Sequence, residues 1–233
     1  MKGTDKGGGM KRAELAKRID HTLLGPTAAK EAVRRLCEEA VEYGAAAACV
    51  NPCHVELVRD GLKDSDVKTC AVIGFPHGMN TSETKAFEAQ KAIASGADEL
   101  DMVINVGALK EGDYAAVTDD IRGVCLAAEK APRPVHVKVI LEMALLTEEE
   151  KVAAATLAKA AGADFVKTST GFGPGGATVE DVALLRATVG KEMGVKAAGG
   201  IRDAETAIAM IEAGADRIGA SRTGAILEGV DAP

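Results

Sequence analysis

Two hydrophobic patterns alternate along the chain. Short apolar runs, such as Ala46-Ala47-Ala48-Cys49-Val50 and Val135-His136-Val137-Lys138-Val139-Ile140-Leu141, are separated by longer stretches in which apolar positions recur every three or four residues. The runs suit parallel strands covered on both faces, and the longer stretches suit helices packed by one face. The joint between them has a recurring form. Ser95-Gly96-Ala97-Asp98-Glu99-Leu100, Ala161-Gly162-Ala163-Asp164-Phe165-Val166 and Ala213-Gly214-Ala215-Asp216-Arg217-Ile218 each follow a helical pattern and lead into an apolar run. Glycine just past a helix supplies a left-handed C-terminal cap. A fourth, weaker copy at Tyr43-Gly44-Ala45 lacks the aspartate.

Reading outward from these joints predicts strands near 18–23, 46–50, 68–74, 99–105, 135–141, 164–169, 195–198 and 217–219, with helices including 27–42, 81–95, 147–161 and 203–213. Eight strand–helix units predict an α/β fold of the (β/α)8 TIM-barrel type, with a doubly wound open sheet as the alternative. No Pro/Gly/Ser-rich linker interrupts the series, so a single domain is expected over 10–233, preceded by a Gly- and Lys-rich disordered leader at 1–9.

Composition narrows the function. With 28 basic and 35 acidic side chains the formal charge is −7, and aromatic content is 3% without tryptophan. A polyanion would be repelled and bases would find few stacking platforms, so no nucleic acid partner is expected. No apolar run approaches the length of a membrane span, so no membrane partner is expected either. The five cysteines, an odd number in apolar surroundings, read as reduced, buried thiols of a cytoplasmic protein. His21, His54, His77 and His136 show no metal-ligand spacing, so no metal and no cofactor is expected.

Four successive predicted strands carry an ionisable residue inside an apolar run: Asp101, Lys138, Lys167 and Lys196. Any one lysine could end its strand in solvent, but four groups in series form a pattern. In a closed barrel inward-facing residues converge, which would place three ammonium groups and one carboxylate in one pocket. A lysine of ordinary proton affinity is neutral about once in 2,500 molecules at pH 7. Crowding by cations and desolvation both penalise its charged form and make it a nucleophile. Such an amine forms an iminium with a carbonyl, the electron sink that carbon–carbon cleavage requires, and Asp101 beside a lysine suits proton transfer. Glycines and small residues that follow the last three strands, Thr170, Gly171, Gly199, Gly200, Gly219 and Ser221, suit backbone binding of a phosphate at the corner where barrels often hold one. A small phosphorylated substrate follows.

The motifs together resemble deoxyribose-phosphate aldolase. The likeness runs from Ile19-Asp20-His21-Thr22-Leu23-Leu24 through Glu99-Leu-Asp-Met-Val, Val135-His-Val-Lys-Val-Ile-Leu-Glu142, Phe165-Val-Lys-Thr-Ser-Thr-Gly-Phe172 and Lys196-Ala-Ala-Gly-Gly-Ile-Arg202 to Arg217-Ile-Gly-Ala-Ser221. The resemblance implies that Lys167 forms a Schiff base, Lys196 lowers its proton affinity, Asp101 relays protons and Lys138 supports the pocket wall. It assigns phosphate contacts to Gly171, Gly200 and Ser221. It implies a metal-free homodimer or homotetramer that reversibly splits 2-deoxy-D-ribose 5-phosphate into D-glyceraldehyde 3-phosphate and acetaldehyde in deoxyribonucleoside breakdown. Two departures stand out. The tyrosines are Tyr43 and Tyr114, neither in a C-terminal tail, and Arg222 follows Ser221 where a second small hydroxyl residue is common in that family.

Other readings remain open at this level. Gly171-Phe-Gly-Pro-Gly-Gly176, with Glu192 about 20 residues on, fits a dinucleotide fingerprint. A sugar-phosphate sensor without turnover, or another Schiff-base aldolase such as a transaldolase, would use parts of the same set.

Overall fold

The computed structural model describes residues 10–230. The predicted leader at 1–9 lies outside them. Helix α1 (Arg12–Ala16) precedes β1 (Ile19–Leu23), followed by α2 (Lys30–Tyr43), β2 (Ala47–Val50), α3 (Val55–Leu62), β3 (Lys68–Ile73), α4 (Ser82–Ser95) and β4 (Glu99–Val103). The second half runs α5 (Val106–Lys110), α6 (Tyr114–Glu129), β5 (His136–Ile140), α7 (Glu148–Ala160), β6 (Phe165–Lys167), α8 (Val179–Val189), β7 (Gly194–Ala198), α9 (Ala204–Glu212), β8 (Arg217–Ala220) and α10 (Thr223–Val230). All eight strands pair in sequence order, each parallel to the next, and Asp20 opposite Gly219 in β1 and β8 closes the barrel. Closure excludes the open sheet.

The recurring joints have a structural cause. After α4, Gly96 N–H bonds back to Ile93 O and Ala97 N–H to Ala92 O, the paired bonds of a glycine-capped helix end, with Gly96 at φ +114°. The same pair recurs at Gly44/Ala45, Gly162/Ala163 and Gly214/Ala215. The aspartate that follows then clasps the preceding strand. Asp98 accepts from Thr69 N, Asp164 from Val137 N and Asp216 from Val195 N, at 3.1, 2.7 and 2.9 Å, while each aspartate's own N–H bonds to the same partner's carbonyl. Each joint therefore ends a helix and sets the register of the next strand.

Between barrel and helices lies the apolar core, including Leu100, Met102, Val137, Val139, Val166, Val195 and Ile218. The lumen is divided. On the β2–β3 side it is apolar, with Ala47, Cys49, Cys70 and Val72 packed together. The other strands fill it with charge. Outside the barrel, Lys85 of α4 is fully buried and donates to Val103 O at 2.9 Å and Asp120 Oδ2 of α6 at 2.5 Å, tying two helices to the end of β4. The cysteines are free, and four are buried as expected, but Cys53 is exposed because it sits in the turn after β2 rather than in the strand.

Breaking a buried ion pair by removing one partner strands the other charge, at a cost of about 3–5 kcal/mol, whereas replacing both by apolar groups is often nearly neutral. Lys85→Met should lower unfolding stability by about that amount. The double variant Lys85→Met/Asp120→Leu should recover most of it, as measured by urea denaturation.

Candidate active site

The four ionisable residues read from the strands meet in the lumen. Asp101, Lys138 and Lys196 are fully buried and Lys167 nearly so, and their contacts cross from β4 to β7, which only inward-facing side chains can do. Lys167 Nζ and Lys196 Nζ both donate to Asp101 Oδ2, at 2.8 and 2.6 Å. Lys138 Nζ donates to Asp101 Oδ1 at 3.0 Å, and the Cys70 thiol reaches the same oxygen at 3.3 Å. Lys167 stands highest, opposite Lys196 on the next strand and Ile140 on the previous one. Its side chain keeps 4% exposure where those of Lys138 and Lys196 have none, so it is the lysine of the set that an incoming molecule can reach.

The expectation of three ammonium groups around one carboxylate needs correction. Asp20 of β1 accepts from Lys196 and Arg217, and Glu99 of β4 accepts from Lys138 at 2.5 Å and from Arg217 at 3.0 Å. Positive and negative groups therefore alternate. Burial alone would raise the proton affinity of Asp20 and Asp101, but the surrounding cations outweigh it and hold both carboxyls well below their ordinary value. Burial likewise opposes the charge on Lys138 and Lys196, yet their carboxylate partners win and hold both protonated well above the usual range. In a low-dielectric interior such pairing is what allows these charges to be buried.

At the C-terminal ends of β6 to β8 the glycine loops gather. Gly171, Gly199 and Gly200 take φ of +83°, +90° and +81°, conformations that glycine adopts without strain, and Gly171, Gly200 and Ser221 are exposed. The helix start expected at Asp203 is present, but the Asp203 carboxylate caps it by accepting from Thr206 N at 2.8 Å. Two residues expected at a phosphate have other close neighbours as well. Thr170 donates its hydroxyl to Glu142, and Gly219 sits within β8, where a Cβ would lie 2.9 Å from Ala198 Cβ and 3.2 Å from Lys196 Cε. Gly219 thus makes room for Lys196. A cavity of about 470 Å³ opens beside Thr170, lined by His77, Met79, Val103, Glu142 and Phe172. The Ser169 hydroxyl, buried without a hydrogen-bond partner, lies next to Gly199.

Other candidate chemistry falls away. Gly176 of the dinucleotide-like loop packs on the Gly199 backbone, and Glu192 is exposed ahead of β7 rather than at a strand end. Among the described residues, Cys49, Cys70 and Asp101, and Asp20, Cys70 and Glu99, bring possible metal ligands within 4.8 Å of one another. All three carboxylates already accept from ammonium groups, so a cation there would meet like charge. His21 is structural, bonded to Thr223 at 2.8 Å and Glu39 at 2.9 Å.

The family described as DeoC/LacD family aldolase matches residues 14–229. Similar proteins include the deoxyribose-phosphate aldolase of Clostridium perfringens, 60% identical with 94% of this chain and 97% of that one covered. That of Thermococcus kodakarensis is also 60% identical, covering 94% and 98%. Among solved structures, the tetrameric deoxyribose phosphate aldolase from Aeropyrum pernix superposes with a TM-score of 0.86 at 39% identity, covering 94% of this chain and 91% of that chain.

A group whose acid strength is raised by folding contributes stability above its unfolded value and loses it as pH falls through the folded one; a lysine held protonated behaves in the opposite sense. Asp20 and Asp101 are of the first kind, Lys138 and Lys196 of the second. With the buried Cys70 thiol, whose proton affinity burial raises, the cluster should therefore give a plateau of stability from about pH 5 to about pH 8, with loss outside it. Urea midpoints from acid to alkaline pH test it, and a steep fall within about pH 6 to 8 would contradict it.

Proposed function

The chain belongs to the DeoC/LacD aldolase family, and from that premise we propose that Lys167 is the amine that bonds covalently to the open-chain aldehyde of 2-deoxy-D-ribose 5-phosphate. The enzyme is a carbon–carbon lyase that reversibly yields D-glyceraldehyde 3-phosphate and acetaldehyde. The observation that carries the assignment is the Lys167 nitrogen held 2.8 Å from a carboxylate oxygen that a second lysine shares, on the one side chain of the three lysines that keeps any exposure.

The neutral amine of Lys167 adds to the C1 carbonyl, and loss of water leaves an iminium. The C3 hydroxyl gives up its proton, the C2–C3 bond breaks, and its electron pair flows into the iminium to form an enamine as glyceraldehyde 3-phosphate leaves. Protonation at C2 and hydrolysis then release acetaldehyde and restore the amine. Asp101 and Lys196 carry these protons, since a hydrogen-bonded carboxylate–ammonium pair can pass a proton either way without leaving an unbalanced charge. Lys138 fixes the other oxygen of Asp101 and so its orientation. Gly171, Gly199, Gly200 and Ser221 bind the phosphate through loop N–H and hydroxyl groups on adjoining strand ends, with Arg222 beside them in place of a second hydroxyl. A sensor would have no use for a buried amine and its proton carrier.

A homodimer or homotetramer is the proposed assembly, supported by the tetrameric Aeropyrum relative. Cytoplasmic residence is supported by the free cysteines. Among the described residues no helix is long and apolar enough to cross a membrane.

Acetaldehyde followed by borohydride should leave one reduced adduct, on Lys167, identified by peptide mass spectrometry. Lys167→Leu should abolish cleavage of deoxyribose 5-phosphate with the circular dichroism spectrum unchanged. An adduct on another lysine, or retained turnover in the variant, would overturn the assignment.

A further inference from the structure

Glu99 and Arg217 have no part in the mechanism above. They begin β4 and β8, at the end of the barrel away from the phosphate loops, and line a hollow of about 1010 Å³ under the barrel floor together with Lys17, Lys68 and Arg133. Their hydrogen bonds nevertheless lead back to Asp101 by two routes. Asp101 Oδ1 accepts from Lys138, and Lys138 donates to Glu99 Oε2, at 3.0 and 2.5 Å. Arg217 donates to both oxygens of Glu99, at 3.2 and 3.0 Å, and through Nε to Asp20 Oδ1 at 2.9 Å. Asp20 Oδ2 accepts from Lys196, which donates to Asp101 Oδ2 at 2.6 Å. The path closes on itself: Asp101, Lys138, Glu99, Arg217, Asp20, Lys196 and back to Asp101.

This ring alternates sign at every step and balances three carboxylates against three cations. Lys167 hangs outside it, attached to Asp101 as a seventh, unmatched charge. With Lys167 as an ammonium the assembly is positive by one; with Lys167 as an amine it is neutral. We infer that Glu99 and Arg217 are positioning residues that close the ring from the barrel floor and thereby set how readily Lys167 releases its proton. They act through Asp20, Lys138 and Lys196 and do not meet the substrate. A guanidinium suits the floor position because it remains charged at any working pH and can bridge two carboxylates at once.

The sign of the effect is fixed by the count. Removing the Arg217 charge leaves the ring negative by one, which an ammonium at Lys167 would balance, so the amine should appear only at higher pH. Removing the Glu99 charge leaves the ring positive by one and should favour the amine at lower pH. Removing both restores neutrality. Cys49 of β2 also faces Lys167, and Cys70 of β3 lies against Asp101 and Lys138; burial holds the Cys70 thiol protonated, and a Cys49→Ala background removes the remaining thiol from the profile.

The inference rests on the Schiff-base reading of Lys167, and the experiment separates the two. The pH dependence of kcat/KM is measured for the wild type, Arg217→Gln, Glu99→Gln and the double variant, with acetaldehyde–borohydride trapping on each. The acid-limb midpoint should rise by on the order of one pH unit in Arg217→Gln, fall by a similar amount in Glu99→Gln and return towards the wild type in the double variant. Midpoints that move in the same direction in the two single variants, or do not move while trapping on Lys167 continues, overturn the inference. Absence of trapping on Lys167 in the wild type overturns instead the reading on which it rests. Should Arg217→Gln fail to fold, the downward shift in Glu99→Gln and its reversal in the double variant still decide the sign.

Discussion

Asp101 is the point on which the lumen depends. Four donors converge on its carboxylate: Lys167 and Lys196 on one oxygen, Lys138 and the Cys70 thiol on the other. A carboxylate with no exposure can remain ionised only if such partners replace the water it has lost. Conversely, three ammonium groups can share one barrel interior only if a carboxylate stands between them. Each charge is therefore the condition for the others, and the amine proposed to react cannot be understood apart from the set.

The barrel provides what this arrangement demands. Closed parallel strands direct alternate side chains into one lumen, so groups distant in sequence, such as Asp20 and Lys196, come into contact. Strands β2 and β3 contribute small apolar residues and thiols, which keep one side of the lumen dry, while the remaining strands carry the charges. Gly219 leaves the space through which the Lys196 stem passes. The aspartate clasps at the helix–strand joints act on the same property, because a slip of one residue would turn a lysine from the lumen into the helix layer. Register is thus as much a catalytic matter as a structural one.

Much of this was legible in the chain. The Gly-Ala-Asp joints announced eight strand–helix units, and Asp101, Lys138, Lys167 and Lys196 stood out because each interrupts an apolar run. Asp20, Glu99 and Arg217 did not, because a charge at a strand's start resembles an ordinary solvent-facing edge. One signal was available: Glu99 lies two residues before Asp101 and so shares its face of β4. Their pairing with the lysines depends on the stagger of the closed barrel, which no local pattern encodes. The clasp formed by each joint's aspartate was likewise hidden, since its partner belongs to the preceding strand. Thr170 and Gly219 read as phosphate residues by position; the bond from the Thr170 hydroxyl to Glu142 and the space that Gly219 leaves for Lys196 depend on neighbours that no local pattern names.

In the proposed mechanism one carboxylate links the reactive amine to the proton traffic at the substrate's carbon. Exchange of the methyl hydrogens of acetaldehyde in D2O, followed by proton NMR, tests it most directly, because exchange requires the enamine to form and be reprotonated without any cleavage step. The wild type should exchange these hydrogens. Asp101→Asn should still be trapped on Lys167 by borohydride but exchange about 100-fold or more slowly. Exchange at the wild-type rate in that variant would exclude Asp101 from the proton transfer.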